Sequence, residues 1–117
     1  MSNPRPQDLL KKAHPKIFEH NYGLCFGEGW CWLIDEMCSE IQNHIDTQSL
    51  PQTRIDYIKE KNGGLSMFVS NADDFIDGII MYTESLSMRL CEVCGNIGKI
   101  DYSKNWLKCR CPAHEED

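Results

Sequence analysis

The sequence has no long apolar run, no repeat and no excess of basic charge. No apolar stretch approaches the ~20 residues that a membrane-spanning helix needs, and the N-terminal segment, residues 1–6, lacks the apolar core of a secretory signal peptide. No low-complexity segment occurs, and 41% hydrophobic with 26% charged residues is the composition of a folded domain. We therefore expect one compact protein with no membrane association.

Positive charge is scarce throughout the chain. The formal net charge is −6 at pH 7, and residues 1–50, 51–90 and 91–117 are each net acidic. Direct binding of nucleic acid usually needs a cationic footprint. The only small group of cations lies near the C-terminus and consists of Lys99, Lys104, Lys108 and Arg110. The charge balance argues against direct nucleic-acid binding and favours a partner with a basic protein surface.

Cysteine, in contrast, is plentiful, and four soft ligands stand at metal-binding spacing. Cys91-x2-Cys94 and Cys111-x2-His114 are separated by sixteen residues. Two pairs with two intervening residues are the usual spacing of a tetrahedral zinc site, and Gly95 can supply the positive φ of the first turn. The pattern predicts a zinc ion. The odd number of seven cysteines and the metal spacing favour a reducing bacterial cytoplasm over a secreted disulfide scaffold.

Cys109 leaves the fourth ligand open. Cys109 and Cys111 are two residues apart, so on a strand they would face the same side. A set of Cys91, Cys94, Cys109 and Cys111 is therefore the alternative to the set that ends in His114. Either set fills four positions, whereas a catalytic zinc keeps one open for water. We expect a structural zinc and no enzymatic activity.

The remaining cysteines and two histidines have no clear functional pattern. Three cysteines are predicted to pack as small apolar side chains rather than form a second metal site with His20: Cys25, Cys31 and Cys38. His14 and His44 are predicted to lie on the surface. Gly27-Glu28-Gly29-Trp30 is predicted to be a tight turn that Trp30 anchors.

Hydrophobic periodicity predicts helices at residues 7–13, 30–46 and 71–90. Asn71 is expected to cap the last of these. Its apolar stripe is predicted to be buried and comprises Phe75, Ile76, Ile79, Ile80, Thr83, Leu86 and Leu90. Residues 54–60 and 65–70 alternate like strands around Asn62-Gly63, which is a strong signal for a hairpin.

These elements predict an α+β fold with two main helices packed on a β-hairpin and a C-terminal zinc ribbon. The ribbon strands are expected at residues 97–100 and 106–108, joined by a turn over residues 101–105. We expect residues 1–90 to form the core and residues 91–117 to form the ribbon, continuous with it in one unit.

Carboxylates on the two main helices form the predicted partner surface. They are Asp35, Glu36, Glu40, Asp73, Asp77 and Glu84. Such a surface would suit a partner that is basic because it binds nucleic acid. Exposed apolar residues such as Trp32 or Met67 would also allow a dimer.

Four motifs in a fixed order resemble a group of small uncharacterised proteins encoded by bacteriophages, prophages and other mobile elements. The motifs are Gly27-x-Gly29-Trp30-x2-Leu33-Ile34-Asp35-x-Met37-Cys38, Lys59-Glu60-Lys61-x-Gly63-x-Leu65, Cys91-Glu92-x-Cys94-Gly95-x2-Gly98 and Trp106-x4-Cys111-x2-His114. That group commonly has threonine or a similar residue at the position of Cys109, so the resemblance implies Cys111 and His114 as ligands. It implies a mobile-element origin and no particular activity.

Acidic charge and this origin together predict a small zinc protein that binds a host protein stoichiometrically. Its most concrete form is an anti-CRISPR-like inhibitor of a host defence system, directed at a nucleic-acid-binding effector complex. The alternative is a zinc ribbon that binds nucleic acid or modulates transcription. Its contacts would be Lys99, Lys104, Lys108 and Arg110, with Tyr102 or Trp106 stacking on bases.

Overall fold

A computed structural model describes residues 3–116 and has three helices and five strands. The helices are α1 (Pro6–Ala13), α2 (Cys31–Gln48) and α3 (Asp74–Ser87). The strands are β1 (Gly23–Cys25), β2 (Arg54–Lys61), β3 (Gly64–Ser70), β4 (Lys99–Ile100) and β5 (Cys109–Arg110). The predicted α+β class is confirmed. Within the described range, no helix is long and apolar enough to cross a membrane.

The predicted hairpin is the centre of the larger sheet. β2 pairs antiparallel with β3, and the short β1 pairs parallel with the other edge of β2. Asn62 and Gly63 have φ of +54° and +91°, the left-handed conformations that a two-residue type I′ turn needs. The Asn-Gly signal therefore identified both the turn and the antiparallel pairing.

α2 supplies the largest part of the hydrophobic core. A single turn of 3₁₀ helix, Glu28–Trp30, leads into it, and Ser49 ends it with φ of +53°. Trp30, Ile34 and Ile41 are fully buried, as are Ile55 and Ile58 on β2. The apolar face predicted from periodicity is thus buried in the same hydrophobic core as β2, and the helix extends two residues beyond its predicted end.

The predicted start of α3 is wrong. Asp73, and not Asn71, is the N-cap: its Oδ1 accepts a hydrogen bond from the N–H of Ile76 at 2.9 Å. Asn71 has φ of +60° and lies in the preceding turn, so its side chain does not cap the helix. The predicted end is also too late, because α3 stops at Ser87 and Leu90 forms a β-bridge with Ile97.

The strands of the small C-terminal sheet differ from their predicted ranges, 97–100 and 106–108. β4 and β5 pair antiparallel, with Ile100 opposite Cys109, and this register buries both side chains. Residues 106–108 belong to a loop rather than to a strand. Asp101 begins this loop by accepting hydrogen bonds from the N–H and hydroxyl of Ser103, so the connection is longer than the predicted five-residue turn.

Candidate metal centre

Cys91, Cys94, Cys111 and His114 come together in space. Their ligand atoms all lie within 4.8 Å of one another. The sulfurs of Cys94 and Cys111 are 3.6 Å apart, and Nδ1 of His114 lies 3.2 Å from the sulfur of Cys111 and 3.7 Å from that of Cys91. A tetrahedral zinc ion with Zn–S of about 2.3 Å and Zn–N of about 2.0 Å sets its ligands roughly 3.8 Å (S–S) and 3.5 Å (S–N) apart. The spacing of the four residues therefore fits zinc.

Two short turns bring the ligands together. In the first, the N–H of Gly95 donates to the carbonyl of Cys91 at 2.8 Å, and Gly95 has the positive φ (+82°) that its position predicted. In the second, Cys111 leads into a 3₁₀ turn, Pro112–His114, whose last N–H returns to the carbonyl of Cys111 at 3.0 Å. Each turn thereby brings the two ligand atoms of its own pair close together.

The two thiols of the first turn, Cys91 and Cys94, have pKa values shifted in opposite directions. Burial disfavours the Cys91 thiolate, but backbone N–H groups around its sulfur outweigh burial and lower its pKa to about 6. Although the N–H of Asn96 favours the thiolate of Cys94, burial and the neighbouring sulfurs raise the pKa of Cys94 above its usual value. Crowded thiols resist ionising together, and a divalent cation removes that resistance because it binds thiolates.

The alternative ligand, Cys109, lies outside this group. Its side chain is fully buried within the hydrophobic core, and burial raises its pKa to about 11. Its carbonyl accepts a hydrogen bond from the N–H of Glu92 at 3.1 Å. β5 ends at Arg110, and Cys111 is the N-cap of the following 3₁₀ turn, Pro112–His114. The structure groups His114 with the other three ligands.

The first ligand turn docks on the Gly27–Trp30 segment. Gly27 and Gly29 donate their N–H groups to Oε2 and the carbonyl of Glu92, each at 2.8 Å. The indole N–H of the fully buried Trp30 donates to the carbonyl of Leu90 at 2.8 Å. A Cβ on Gly29 would lie 2.4 Å from the carbonyl oxygen of Cys91. The glycines therefore allow close backbone approach to the metal-binding turn, a role that sequence reasoning missed.

A partly buried ion pair supports the same junction. Oε1 of Glu92 lies 3.2 Å from Arg110 of β5, and their side chains are only 14% and 15% exposed. Glu92 thus joins the Gly27 segment, the metal-binding turn and β5 through a single carboxylate. Arg110, one of the four cations predicted for nucleic-acid contact, therefore forms an ion pair within the chain.

The long loop between β4 and β5 forms one side of a groove of about 550 Å³. Tyr102 and Trp106 stand on this loop and are 69% and 74% exposed. The groove is lined by both signs of charge: Lys99, Lys104, Lys108 and Arg110 together with Asp101, Glu115 and Glu116. The groove is therefore a surface of mixed charge with exposed aromatic rings.

The predicted acidic surface separates into residues with partners and residues without them. Asp35 binds His14 at 2.7 Å, and Asp73 binds His44 at 2.8 Å. The His14 and His44 side chains are only 11% and 18% exposed, so their prediction as surface residues is wrong. The hydrogen bond from His44 lowers the pKa of Asp73.

The other four carboxylates are not bound in ion pairs within residues 3–116. Glu36 and Glu40 on α2 and Asp77 on α3 are exposed. Glu84 is half-buried next to β3, and burial raises its pKa. Three of the six predicted carboxylates thus remain fully available to a partner.

The remaining cysteines do not form a second site. Cys38 is fully buried and Cys31 is half-buried, and burial raises the pKa of Cys31 to about 11. Cys25 is exposed at the edge of the sheet, so its prediction as a buried apolar residue is wrong. No further cluster of three or more potential metal ligands occurs between residues 3 and 116.

Comparisons with known proteins found no matching family model, no matching curated protein and no matching solved structure. The function has therefore to be inferred from the residues of this chain.

Proposed function

We propose that the chain is a small acidic zinc protein that acts by stoichiometric binding to another protein and performs no catalysis of its own. Four protein ligands complete a tetrahedral ion, so the metal supplies stability and not an open coordination position. The zinc holds the C-terminal segment in a fixed shape and thereby presents its surface to a partner.

The observation that carries this proposal is the exposed apolar surface of that segment, which we call the ribbon surface: Ile97, Tyr102 and Trp106. These side chains are 82%, 69% and 74% exposed. Aromatic residues are enriched at protein interfaces and dominate their binding energy. A segment that needs a metal to fold yet exposes its largest apolar side chains is better explained by a binding surface than by internal stability.

Charge indicates the kind of partner. The chain has a net charge of −6, and Glu36, Glu40 and Asp77 are exposed without ion-pair partners in the described part of the chain. A basic protein surface, such as the nucleic-acid channel of a host effector complex, is complementary to this charge. The resemblance to mobile-element proteins supports the most concrete version, an inhibitor of a bacterial defence system.

Capture of partners from nuclease-treated bacterial lysate by the zinc-loaded protein tests this proposal. We expect a protein partner at defined stoichiometry that survives nuclease. Trp106→Ala should reduce its capture at least tenfold, as expected for an interface hot spot, whereas Leu9→Ala on α1 should have no effect. Equal capture by both variants, or no stoichiometric partner at all, would contradict the proposal.

Electrostatic steering needs a separate experiment. Glu36→Lys with Glu40→Lys should slow association with the captured partner and flatten its salt dependence. Asp46→Lys with Glu19→Lys changes the net charge equally and serves as the control. If both pairs of reversals act alike, Glu36 and Glu40 are not a specific contact.

The groove beside the ribbon surface favours a second candidate, direct binding of single-stranded nucleic acid. Lys99 and Lys104 line it next to Tyr102 and Trp106, and cations beside exposed rings are the usual components of such sites. Lys99→Ala with Lys104→Ala should then abolish retention of oligonucleotides at moderate salt, whereas Lys11→Ala with Lys12→Ala should not. Capture that disappears on nuclease treatment would favour this candidate over protein binding.

A further inference from the structure

The larger, three-stranded sheet has one face in the hydrophobic core and the other face in solvent. Leu24, Ile58 and Leu65, one from each strand, are buried in the core. Successive side chains of a strand project to opposite faces, so residues an odd number of positions away lie on the outer face. Cys25 of β1 and Phe68 of β3 lie there and are exposed. The outer face is therefore accessible at both edges of the sheet.

Three aromatic rings form a row across this outer face. Gly23, Tyr57 and Phe68 are paired across β1, β2 and β3, and Tyr22 directly precedes Gly23. The ring centroids of Tyr22 and Tyr57 are 5.0 Å apart with an interplanar angle of 21°, and those of Tyr57 and Phe68 are 6.1 Å apart at 28°. The rings thus form one continuous stack, and its end rings, Tyr22 and Phe68, are 70% and 52% exposed.

Gly23 makes room for the middle ring of the stack. A Cβ at this position would lie 2.4 Å from Cε2 and 2.7 Å from Cδ2 of Tyr57. Glycine weakens the interior of a strand and often marks a site of close approach. At this site the approaching group is the Tyr57 ring, which lies against the backbone of β1 and is thereby held between the two end rings.

Cations lie beside this stack. The ammonium group of Lys59 is 5.9 Å from the centroid of the Phe68 ring. Lys61, two positions further along β2, is exposed on the same face. Neither lysine forms an ion pair within residues 3–116. Both ammonium groups are therefore available to an anionic ligand.

The rows of paired residues that contain Tyr57 and Lys59 include no carboxylate. Tyr57 is paired with a glycine and a phenylalanine, and Lys59 with a cysteine and a serine. Of the two carboxylates on β2, Asp56 lies at the bulge, and Oε2 of Glu60 accepts a hydrogen bond from the N–H of Gly63 at 2.7 Å. The local charge beside the rings thus differs from that of the whole chain, which is −6.

We propose that this outer face, which we call the sheet platform, binds single-stranded nucleic acid through Tyr22, Tyr57, Phe68, Lys59 and Lys61. Nucleobases continue the ring stack at its two exposed ends, and the lysines bind the adjacent phosphates. Aromatic rings beside cations are the usual components of sites that bind single strands without sequence preference. Rings alone would also fit an apolar protein surface, but two available cations beside them favour an anionic ligand that has planar rings. This activity goes beyond the proposed protein binding and uses other elements of the fold.

α3 also exposes aromatic rings, but its charge does not suit the same ligand. Phe75, which was predicted to be buried, is 56% exposed and stacks on His44 at 4.2 Å, and Tyr82 is 67% exposed. Asp74 and Asp77 on the same helix are exposed carboxylates that would repel phosphate. Tyr82 is therefore a matched control for the rings of the sheet platform.

Fluorescence anisotropy of labelled single strands of about twelve nucleotides tests the sheet platform. The zinc-loaded protein is titrated against oligouridylate RNA and oligothymidylate DNA, which distinguishes the two sources of single strands. We expect binding with a dissociation constant on the order of 10 µM at low salt. Tyr22→Ala and Phe68→Ala should each weaken it about tenfold with unchanged circular dichroism, whereas Tyr82→Ala should have no effect. No binding of either strand, or an equal loss in Tyr82→Ala, would overturn the proposal.

The salt dependence of binding tests the role of the lysines. Two phosphates neutralised on a single strand predict that log Kobs falls with log salt concentration with a slope of about −1.4. Lys59→Ala with Lys61→Ala should bring this slope close to zero, whereas Lys11→Ala with Lys12→Ala on α1 should leave it unchanged. A slope that the β2 substitutions do not change would reject these lysines as phosphate contacts and, with them, the sheet platform.

Photo-crosslinking distinguishes the sheet platform from the groove between β4 and β5. An oligouridylate that carries thiouridine should crosslink to peptides that contain Tyr22, Tyr57 or Phe68, identified by mass spectrometry. Crosslinks confined to peptides that contain Tyr102 or Trp106 would assign binding to the groove and overturn the proposal.

These outcomes are separable from those that test the proposed function. Trp106→Ala should lose the captured protein partner and still bind the oligonucleotides, whereas Tyr22→Ala should weaken oligonucleotide binding and still capture the partner. If Tyr22→Ala instead loses the protein partner while its oligonucleotide affinity equals that of the wild type, the sheet platform is a protein contact and the proposal is wrong.

Discussion

The body of the chain, residues 6–87, and its C-terminal segment, residues 90–114, are stabilised in different ways. The body encloses an almost continuous hydrophobic core contributed by α1, α2, the sheet and α3. The C-terminal segment buries few large side chains, exposes Ile97 and Trp106, and has only two-residue strands. It contributes only Ile100 and Cys109 to that core and is held in addition by its ligand cluster and by hydrogen bonds from Gly27, Gly29 and Trp30. A candidate metal site thus adds to a small share of the core where the segment is too short to form a core of its own.

Removing the metal should have the largest effect and should act on one region. Structural zinc contributes roughly 10–16 kcal/mol in isolated zinc-binding peptides, so a chelator or Cys111→Ser should unfold residues 90–114. Hydrogen exchange should show protection lost there and retained in β2 and β3. Cys25→Ser is the control and should change neither zinc content nor protection. Loss of protection across the whole chain would show that the body does not fold without the metal.

Gly29→Ala should come next, because it disturbs the junction between the two regions. Its Cβ would lie 2.4 Å from the Cys91 carbonyl oxygen and 2.6 Å from that of Glu92, and backbone atoms cannot move aside like a flexible side chain. We expect a loss of about 3 kcal/mol in the free energy of unfolding, measured by urea denaturation.

The matched control for this change is Gly78→Ala. A Cβ at Gly78 meets nothing within 4 Å, so this variant should gain up to about 1 kcal/mol from helix propensity. Equal effects of the two glycine substitutions would show that the Cys91–Glu92 turn does not dock on the Gly27–Trp30 segment.

Trp30→Phe should weaken the same junction by a smaller amount. The substitution removes the indole N–H that donates to the Leu90 carbonyl at 2.8 Å and leaves a small void at a fully buried site. We expect a loss of about 2 kcal/mol by thermal or chemical denaturation. Trp106→Phe is the control: its native ring is 74% exposed on the loop between β4 and β5, and the variant should stay within about 0.5 kcal/mol of wild type.

Asp73→Ala should have the smallest effect, and it concerns the body alone. The variant loses the N-cap of α3 and the contact with His44, so its free energy of unfolding should be lower than that of the wild type. Because the hydrogen bond from His44 and the N–H of Ile76 lower the folded-state pKa of Asp73, its contribution is complete above the ordinary value of 3.8 and is lost as the pH falls through the lower folded value. The difference from wild type should therefore shrink only in acid, below about pH 4.

Asp73→Asn separates the two roles of this residue, since asparagine caps a helix about as well as aspartate. It should retain most of the stability at neutral pH and show none of the acid dependence. A variant as unstable as Asp73→Ala would assign the stabilisation to the charge and not to the cap.

What the sequence predicted well is local. The Asn62-Gly63 turn, the apolar face of α2 and the two ligand pairs each depend on residues close together in the chain, and each has a recognisable period or spacing. The α+β class followed from these elements. The cap of α3 was missed by two residues, because Asn71 and Asp73 both have capping side chains and only the backbone conformation distinguishes them.

What the sequence could not predict is the contact between distant segments. Gly29 and Glu92 are far apart in the chain, and no local signal shows that the glycines make room for a metal-binding turn. The choice between Cys109 and His114 depended on where β5 ends, since Cys111 leaves the strand there and a 3₁₀ turn brings His114 back. The exposure of Phe75 was equally hidden, because periodicity does not tell which of two apolar faces meets the core.

X-ray absorption at the zinc edge of the zinc-loaded protein would examine the metal centre directly. We expect three sulfur ligands at about 2.3 Å and one nitrogen at about 2.0 Å, with no oxygen ligand. His114→Ala should remove the nitrogen, whereas Cys109→Ala should leave the spectrum unchanged. A spectrum with four sulfur ligands would show that Cys109, and not His114, is the fourth ligand. An oxygen ligand would show that one coordination position is open and would contradict a purely structural role for the metal.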